Sequence, residues 1–254
     1  MDRRLFLETL GVASAAAQST QKMRTEFYLL ENYYLRHSTQ MARIHEFMSR
    51  GLLPAVSESH AGPKIFLEGL VAAHLPQYAA ILGFGSLEEV AQWRAGRQKN
   101  DALRKAYRAW EDGPEPPYEH YSETLLKAAD YSPEVQAGQP SKTPRVFELR
   151  VYHSPTWKQL AALHDRFAGP EIKIFHRVGV RPILYTETYI GANMPNLTYL
   201  TPFDNLAARE KAWEAFGSDP EWIKVRKESV DAYGQIASVI QISLFKAAPY
   251  SPVR

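Results

Sequence analysis

The sequence predicts an α+β chain made of two tandem ferredoxin-like units, each of order β-α-β-β-α-β, packed sheet to sheet. Three observations carry this. Leu125-Leu126-Lys127-Ala128-Ala129-Asp130-Tyr131-Ser132-Pro133 returns as Leu244-Phe245-Lys246-Ala247-Ala248-Pro249-Tyr250-Ser251-Pro252, identical at seven of nine positions and displaced by 119 residues. That displacement also pairs Leu30 with Leu149, Tyr33 with Tyr152, His45 with His164, Pro76 with Pro195 and Phe84 with Phe203, where chance matches about one position in 16. Both copies, finally, run through the same succession of strand-like and helix-like patterns.

In the second copy, 145–152 alternates Phe147, Leu149 and Val151 with Glu148, Arg150 and Tyr152, a strand with one apolar face. Trp157, Leu160, Leu163 and Phe167 then recur at helical spacing over 156–167, behind Ser154 and Pro155 as start signals. The β-branched and aromatic runs 183–190 and 196–203 flank a turn at 191–195 and read as a hairpin. A helix follows over 206–216. Asp219-Pro220-Glu221-Trp222 opens another, with proline in the tolerated first turn, and 236–245 closes as the last strand. The first copy follows suit with strands at 27–34, 65–72, 77–84 and 121–126 and helices at 40–48 and 87–110. Between the copies, 134–144 holds Gly138, Pro140 and Pro144 among polar residues, which is linker chemistry. The units are therefore expected at 24–133 and 145–252. Such a unit covers only one face of its sheet with helices, and joining two bare faces in one chain buries them and encloses an interior.

With no cysteine, disulfide frameworks, thiolate metal sites and cysteine nucleophiles are excluded. The 30 basic and 28 acidic residues are interspersed, which argues against a nucleic-acid partner, and no apolar run is long enough to span a bilayer. Residues 1–17 read as an export leader: Arg3-Arg4, the apolar Leu5-Phe6-Leu7 and the small Ala15-Ala16-Ala17 stand in the order of a twin-arginine signal. Cleavage is expected after Ala17, with the mature chain periplasmic or secreted.

Glu148-Leu149-Arg150-Val151-Tyr152, the Asp219-Pro220-Glu221-Trp222 tetrapeptide and the Tyr250-Ser251-Pro252 ending together resemble the NIPSNAP family, in the expected order across 145–252. The first copy resembles a diverged form, with Asn100-Asp101-Ala102-Leu103 in place of the tetrapeptide and Glu31 at the position of Arg150. The resemblance implies a dimeric α/β-barrel architecture, shared more distantly with small monooxygenases and haem-containing chlorite dismutase relatives. It brings no established catalytic residues.

On the first strand of each unit, the face opposite the apolar one is expected to look into the barrel. That nominates Glu148, Arg150 and Tyr152 in one half and Glu31 and Tyr33 in the other as ligand-binding, with Tyr185, Glu187 and Tyr199 extending the lining. Charges there persist only if paired, hydrated or liganded. His164 and Glu148 are the candidate bases. His45 and His164, matched on the first helix of each copy, read equally as core-edge histidines, and His60 and His176 are expected near the loop before the second strand. No phosphate loop, paired-histidine metal spacing or serine elbow is present. Asn196-Leu197-Thr198 is a glycosylation sequon only in a eukaryotic secretory pathway. Two functions remain: a module binding a small organic ligand or a partner, or a cofactor-independent oxygenase or isomerase of small organic compounds. No cofactor is expected in either, haem being the minor alternative, and further homo-oligomerisation is left open.

Overall fold

The computed structural model describes residues 24–60, 62–138 and 145–254. The leader, with Arg3 and Arg4, and linker residues 139–144 lie outside the described residues. The first unit runs β1 (Phe27–Tyr34), α1 (Gln40–Glu46), α2 (Leu53–Ser59), β2 (Lys64–Val71), β3 (Gln77–Phe84), α3 (Leu87–Lys99), α4 (Asp101–Glu111) and β4 (His120–Ala128). The second repeats it as β5 (Val146–His153), α5 (Trp157–Arg166), α6 (Ile172–Val178), β6 (Leu184–Ile190), β7 (Asn196–Phe203), α7 (Leu206–Ser218), α8 (Pro220–Tyr233) and β8 (Val239–Ala247). Among the described residues no helix is long and apolar enough to cross a membrane.

All eight strands form one closed barrel in the order β1-β3-β2-β8-β5-β7-β6-β4. Each unit contributes four adjacent strands, and the two sheets meet edge to edge at antiparallel seams, β2 with β8 and β4 with β6. The seams are equivalent: Leu67 opposes Ala247 in one, Ala128 opposes Thr186 in the other. Closure removes the free edges that a four-stranded sheet would otherwise expose.

The repeated ending has its physical reason here. Past β4, Ala129 donates its N–H to the Tyr185 carbonyl at 3.0 Å, and Ser132 Oγ accepts the Tyr185 N–H at 3.0 Å. Past β8, Ala248 and Ser251 do the same for Phe66, at 2.8 and 3.0 Å. Each copy's Tyr-Ser-Pro tail thus latches onto the other copy's sheet.

The structure reverses the expected facing of the strands. Phe147 and Leu149 point into the barrel, where they pack with Tyr28, Ile65, Leu200 and Phe245; Val135 and Val253 from the two tails join this cluster. Glu148, Arg150 and Tyr152, like Glu31 and Tyr33, face the helices instead. In an eight-stranded barrel the interior is just wide enough for side chains to fill it. Both faces of the central strands are therefore buried, as along β1 and β5, and polar residues take the side where helices supply partners.

Element boundaries differ notably in three places. The expected helix 87–110 breaks at Asn100, whose side chain accepts the Leu103 N–H at 2.9 Å and starts α4. Asn100 stands 119 residues before Asp219, whose Oδ1 accepts the Glu221 and Trp222 N–H groups at 3.0 and 3.1 Å to start α8; the diverged tetrapeptide keeps the capping role. Second, α2 and α6 extend the first helices through widened π turns, Phe47–Leu52 and Phe167–Glu171. The latter is kinked at Gly169, where the backbone is non-helical (φ −87°, ψ −110°) ahead of Pro170. His176 sits exposed in the last turn of α6, beside the loop that leads into β6, as expected. Third, β8 starts at Val239, because Ile236 is buried and its carbonyl is held by Ser154 Oγ at 2.7 Å.

Candidate functional site

In the second unit, fully buried Glu148 collects the Arg150, Arg209 and Trp213 donors. Its carboxylate accepts from Arg150 Nε, from Arg209 Nε and Nη2 on α7 at 2.7 and 3.1 Å, and from Trp213 Nε1 at 2.9 Å. The Arg150 guanidinium lies 3.6 Å over the Trp213 ring and donates to Tyr152 Oη at 3.0 Å, which also accepts from Tyr199 Oη at 2.9 Å. Burial pushes the Tyr152 and Tyr199 phenols up, so both stay protonated. Two arginines on one carboxylate, each hydrogen-bonded, satisfy the conditions for a stable buried ion cluster. The arrangement clamps β5 to α7 and leaves the Glu148 oxygens committed to it.

The first unit builds a looser version. Glu31, fully buried, accepts from Arg97 Nη2 of α3 at 2.7 Å and from Tyr33 Oη at 2.8 Å. Glu123 lies 3.7 Å from Arg97 and pairs with Arg94. Trp93 and Tyr107 flank the Arg97 guanidinium at 5.7 and 5.5 Å, and Tyr121 stacks 5.0 Å from Tyr33. Here donors are left over: Arg97 Nε, Trp93 Nε1, and the Tyr107 and Tyr121 hydroxyls are shielded from solvent without a hydrogen-bond partner.

Beside this cluster a cleft of about 910 Å³ runs along α3. Glu89, Gln92, Trp93 and Gly96 form one wall, a helical face at spacings of three and four; His60, Gly62, Pro63 and Lys64 and the tail around Gln136 form the others. A side chain at Gly96 would meet nothing within 4 Å. Lys64 spends two protons on the His60 and Gly62 carbonyls at 2.7 and 3.0 Å, and burial lowers its pKa.

At each seam a histidine joins a tyrosine to a glutamate. His164 Nδ1 lies 2.8 Å from Tyr131 Oη and its Nε2 3.6 Å from Glu187; His45 Nδ1 lies 3.0 Å from Tyr250 Oη and its Nε2 3.3 Å from Glu68. The chains are crosswise, since each tyrosine follows one copy's last strand and each histidine sits on the other copy's first helix. Burial lowers the His164 pKa, outweighing the nearby carboxylates. His45 thus has a partner within 3.3 Å at each nitrogen, whereas His164 Nε2 is buried without a hydrogen-bond partner.

The sequence profile of the NIPSNAP family matches residues 147–252. The second unit is a NIPSNAP domain. No curated protein matches the sequence. Among solved structures the chain is similar to a proposed monooxygenase of Fusobacterium nucleatum subsp. nucleatum, with TM-score 0.59 at 7% identity over 88% of this chain and 93% of that one. It is also similar to an anthrone oxidase-like protein, with TM-score 0.54 at 14% identity over 88% and 92%. A proposed monooxygenase of Lactobacillus acidophilus gives TM-score 0.50 at 10% identity over 88% and 94%. At such identities the likeness is one of fold.

Within the NIPSNAP domain the nominated residues separate. Glu148, Arg150, Tyr152 and Tyr199 form the clamp; His164 and Glu187 belong to the seam with Tyr131; Tyr185 packs 5.4 Å from Tyr131. His164 and Glu148 are thus held by different partners. Glu31 and Tyr33 join the Arg97 cluster outside the NIPSNAP domain. Sequence reading missed Glu68, although it stands 119 residues before Glu187 and that displacement was its signal. Arg97, Arg209 and Trp213 had none, because α3 and α7 carry their polar partners at unmatched positions. Buried Glu171 was missed too: it accepts from Arg166 Nε at 2.7 Å, and burial raises its pKa to about 7.

Proposed function

We propose that the chain is an exported small-molecule-binding module whose ligand sits in the first unit, in the cleft along α3. The observation that carries this reading is the cleft itself: about 910 Å³, walled by Trp93 and Val135 and edged by Gln92, Asn100 and Gln136. Its volume is that of a ligand site, and Trp93 offers an aromatic wall beside polar groups that could orient a ligand. The oxygenase or isomerase reading draws on the names of the structural neighbours, and fold at that distance does not specify chemistry. Its residues in this chain, Arg150 with His164 or Glu148 as base, line neither this cleft nor the shallower one of about 480 Å³ beside His45.

Gly96→Leu tests the binding reading, because its Cβ enters open space at the cleft wall, its side chain intrudes on the cleft, and it exchanges a poor helix former for a good one. Native mass spectrometry of the mature protein, purified from an exporting bacterium, should show a bound small molecule that Gly96→Leu loses while its Tm holds or rises. Retention of the same molecule by the variant would place the ligand elsewhere and overturn the reading. Export is checked separately: Arg3→Lys with Arg4→Lys should leave the chain in the cytoplasm, and undiminished periplasmic protein would refute the leader.

A further inference from the structure

The two halves descend from one repeat, yet their buried arginine clusters are completed to different degrees. Around Glu148 the Arg150 Nε, Arg209 and Trp213 donors have their acceptor, and Thr201 Oγ1, opposite Glu148 on β7, is the buried hydroxyl left without one. Around Arg97, four donors from four side chains have none: Arg97 Nε, Trp93 Nε1, Tyr107 Oη and Tyr121 Oη. Arg97 Nε and Trp93 Nε1 can only donate, and buried donors are normally paired. A gathering of several about one guanidinium therefore calls for an acceptor that the polypeptide does not supply. Tyr121 faces Arg97 without reaching hydrogen-bond geometry, and burial keeps the Tyr107 and Tyr121 phenols protonated.

Charge narrows what the acceptor can be. Arg97 is already matched by Glu31 at 2.7 Å and faced by Glu123 at 3.7 Å, while Glu89 and Glu134 edge the neighbouring cleft. An anion would meet these carboxylates, and a cation would meet Arg97 and a set of donors. The surrounding surface is aromatic: Trp93, Tyr107, Tyr121, and Tyr33 with Trp110 at 5.8 Å behind it. Trp93 belongs to both places, lining the cleft and lying against Arg97.

We infer that the first unit takes a neutral aromatic carbonyl compound, its oxygen received by Arg97, Tyr107 and Tyr121 and its ring system lying along Trp93 into the cleft. This rests on the cleft reading and adds to it the chemical class of the ligand. The divergence of the first copy then acquires a reason: the NIPSNAP domain keeps a completed clamp, and its sister has given up completion for a binding site.

The test compares benzophenone with diphenylmethane, which lacks only the carbonyl oxygen, on the full mature chain by calorimetric titration. Benzophenone is expected to bind at least about tenfold more tightly, the scale on which a site built to hydrogen-bond an oxygen rejects the analogue without one. Irradiation of the complex should attach benzophenone to peptides within 87–121. Tyr107→Phe with Tyr121→Phe should bring the affinity ratio towards one. Equal binding of the two compounds by the unaltered chain would mean that water alone satisfies the donors; it overturns this inference and leaves the cleft reading standing. Binding of neither at millimolar concentration, with no label in 87–121, overturns both. Since the decisive ratio is read on the unaltered chain, the test survives failure of the double variant to fold.

Discussion

Replacing Glu148 by glutamine would take the negative charge from between two arginines and leave them buried against each other. Arg150 is 9% exposed and Glu148 0%, so solvent cannot stand in for the lost partner. The glutamine oxygen could keep part of the bonding, but its NH₂ group would turn a donor towards Arg150, Arg209 or Trp213, all donors themselves. Breaking a buried pair in this way costs about 3–5 kcal/mol, against a total stability of about 5–15 kcal/mol. Urea denaturation at pH 7 should register that loss, and Tm should fall on the order of 10 °C. Adding Arg150→Met should recover about 1 kcal/mol or more, because it removes one of the stranded charges. A loss below about 1 kcal/mol, the range of solvent-exposed pairs, would refute the clamp and return Glu148 to the pool of residues held for chemistry.

The seam latches predict that Ser251→Ala and Ser132→Ala each cost about 1–3 kcal/mol by stranding a strand N–H. Hydrogen exchange should accelerate at Phe66 in the first variant and at Tyr185 in the second; exchange unchanged at those amides would refute the latch. Glu171 has a folded pKa of about 7, above its unfolded value, so its contribution is greatest at low pH and is lost as pH rises towards 7. The fall is about 3 kcal/mol between roughly pH 4.5 and 7, and urea midpoints should lose that component in Glu171→Gln. His164 has the opposite sign: its folded pKa lies below the unfolded one, so stability present above about pH 6.5 is lost as pH falls and the unfolded chain takes the proton. His164→Asn should flatten that acidic limb, and an unaltered limb would mean that other groups produce it.

What the chain declares by itself is its architecture. The 119-residue repeat, the alternation of β5 and the helical spacing of α5 are local or self-comparing patterns, and they foretell two equal units packed sheet to sheet, while the edge-to-edge seams needed the structure. The resemblance that named the second unit likewise rests on contiguous residues. Inward and outward could not be read that way. Once both faces of a strand are buried, period-2 alternation says which side chains share a face and not which face meets the helices, so Glu148, Arg150 and Tyr152 were assigned to the wrong side. Partner choice was equally hidden. Arg97 and Arg209 reach Glu31 and Glu148 across 66 and 61 residues of sequence, and only the packing of α3 and α7 decides that one cluster closes while the other keeps donors to spare. The crosswise pairing of Tyr131 with His164 and Tyr250 with His45 needed the closed barrel, because neither copy can bring its own tyrosine round to its own histidine once the tails have crossed the seams.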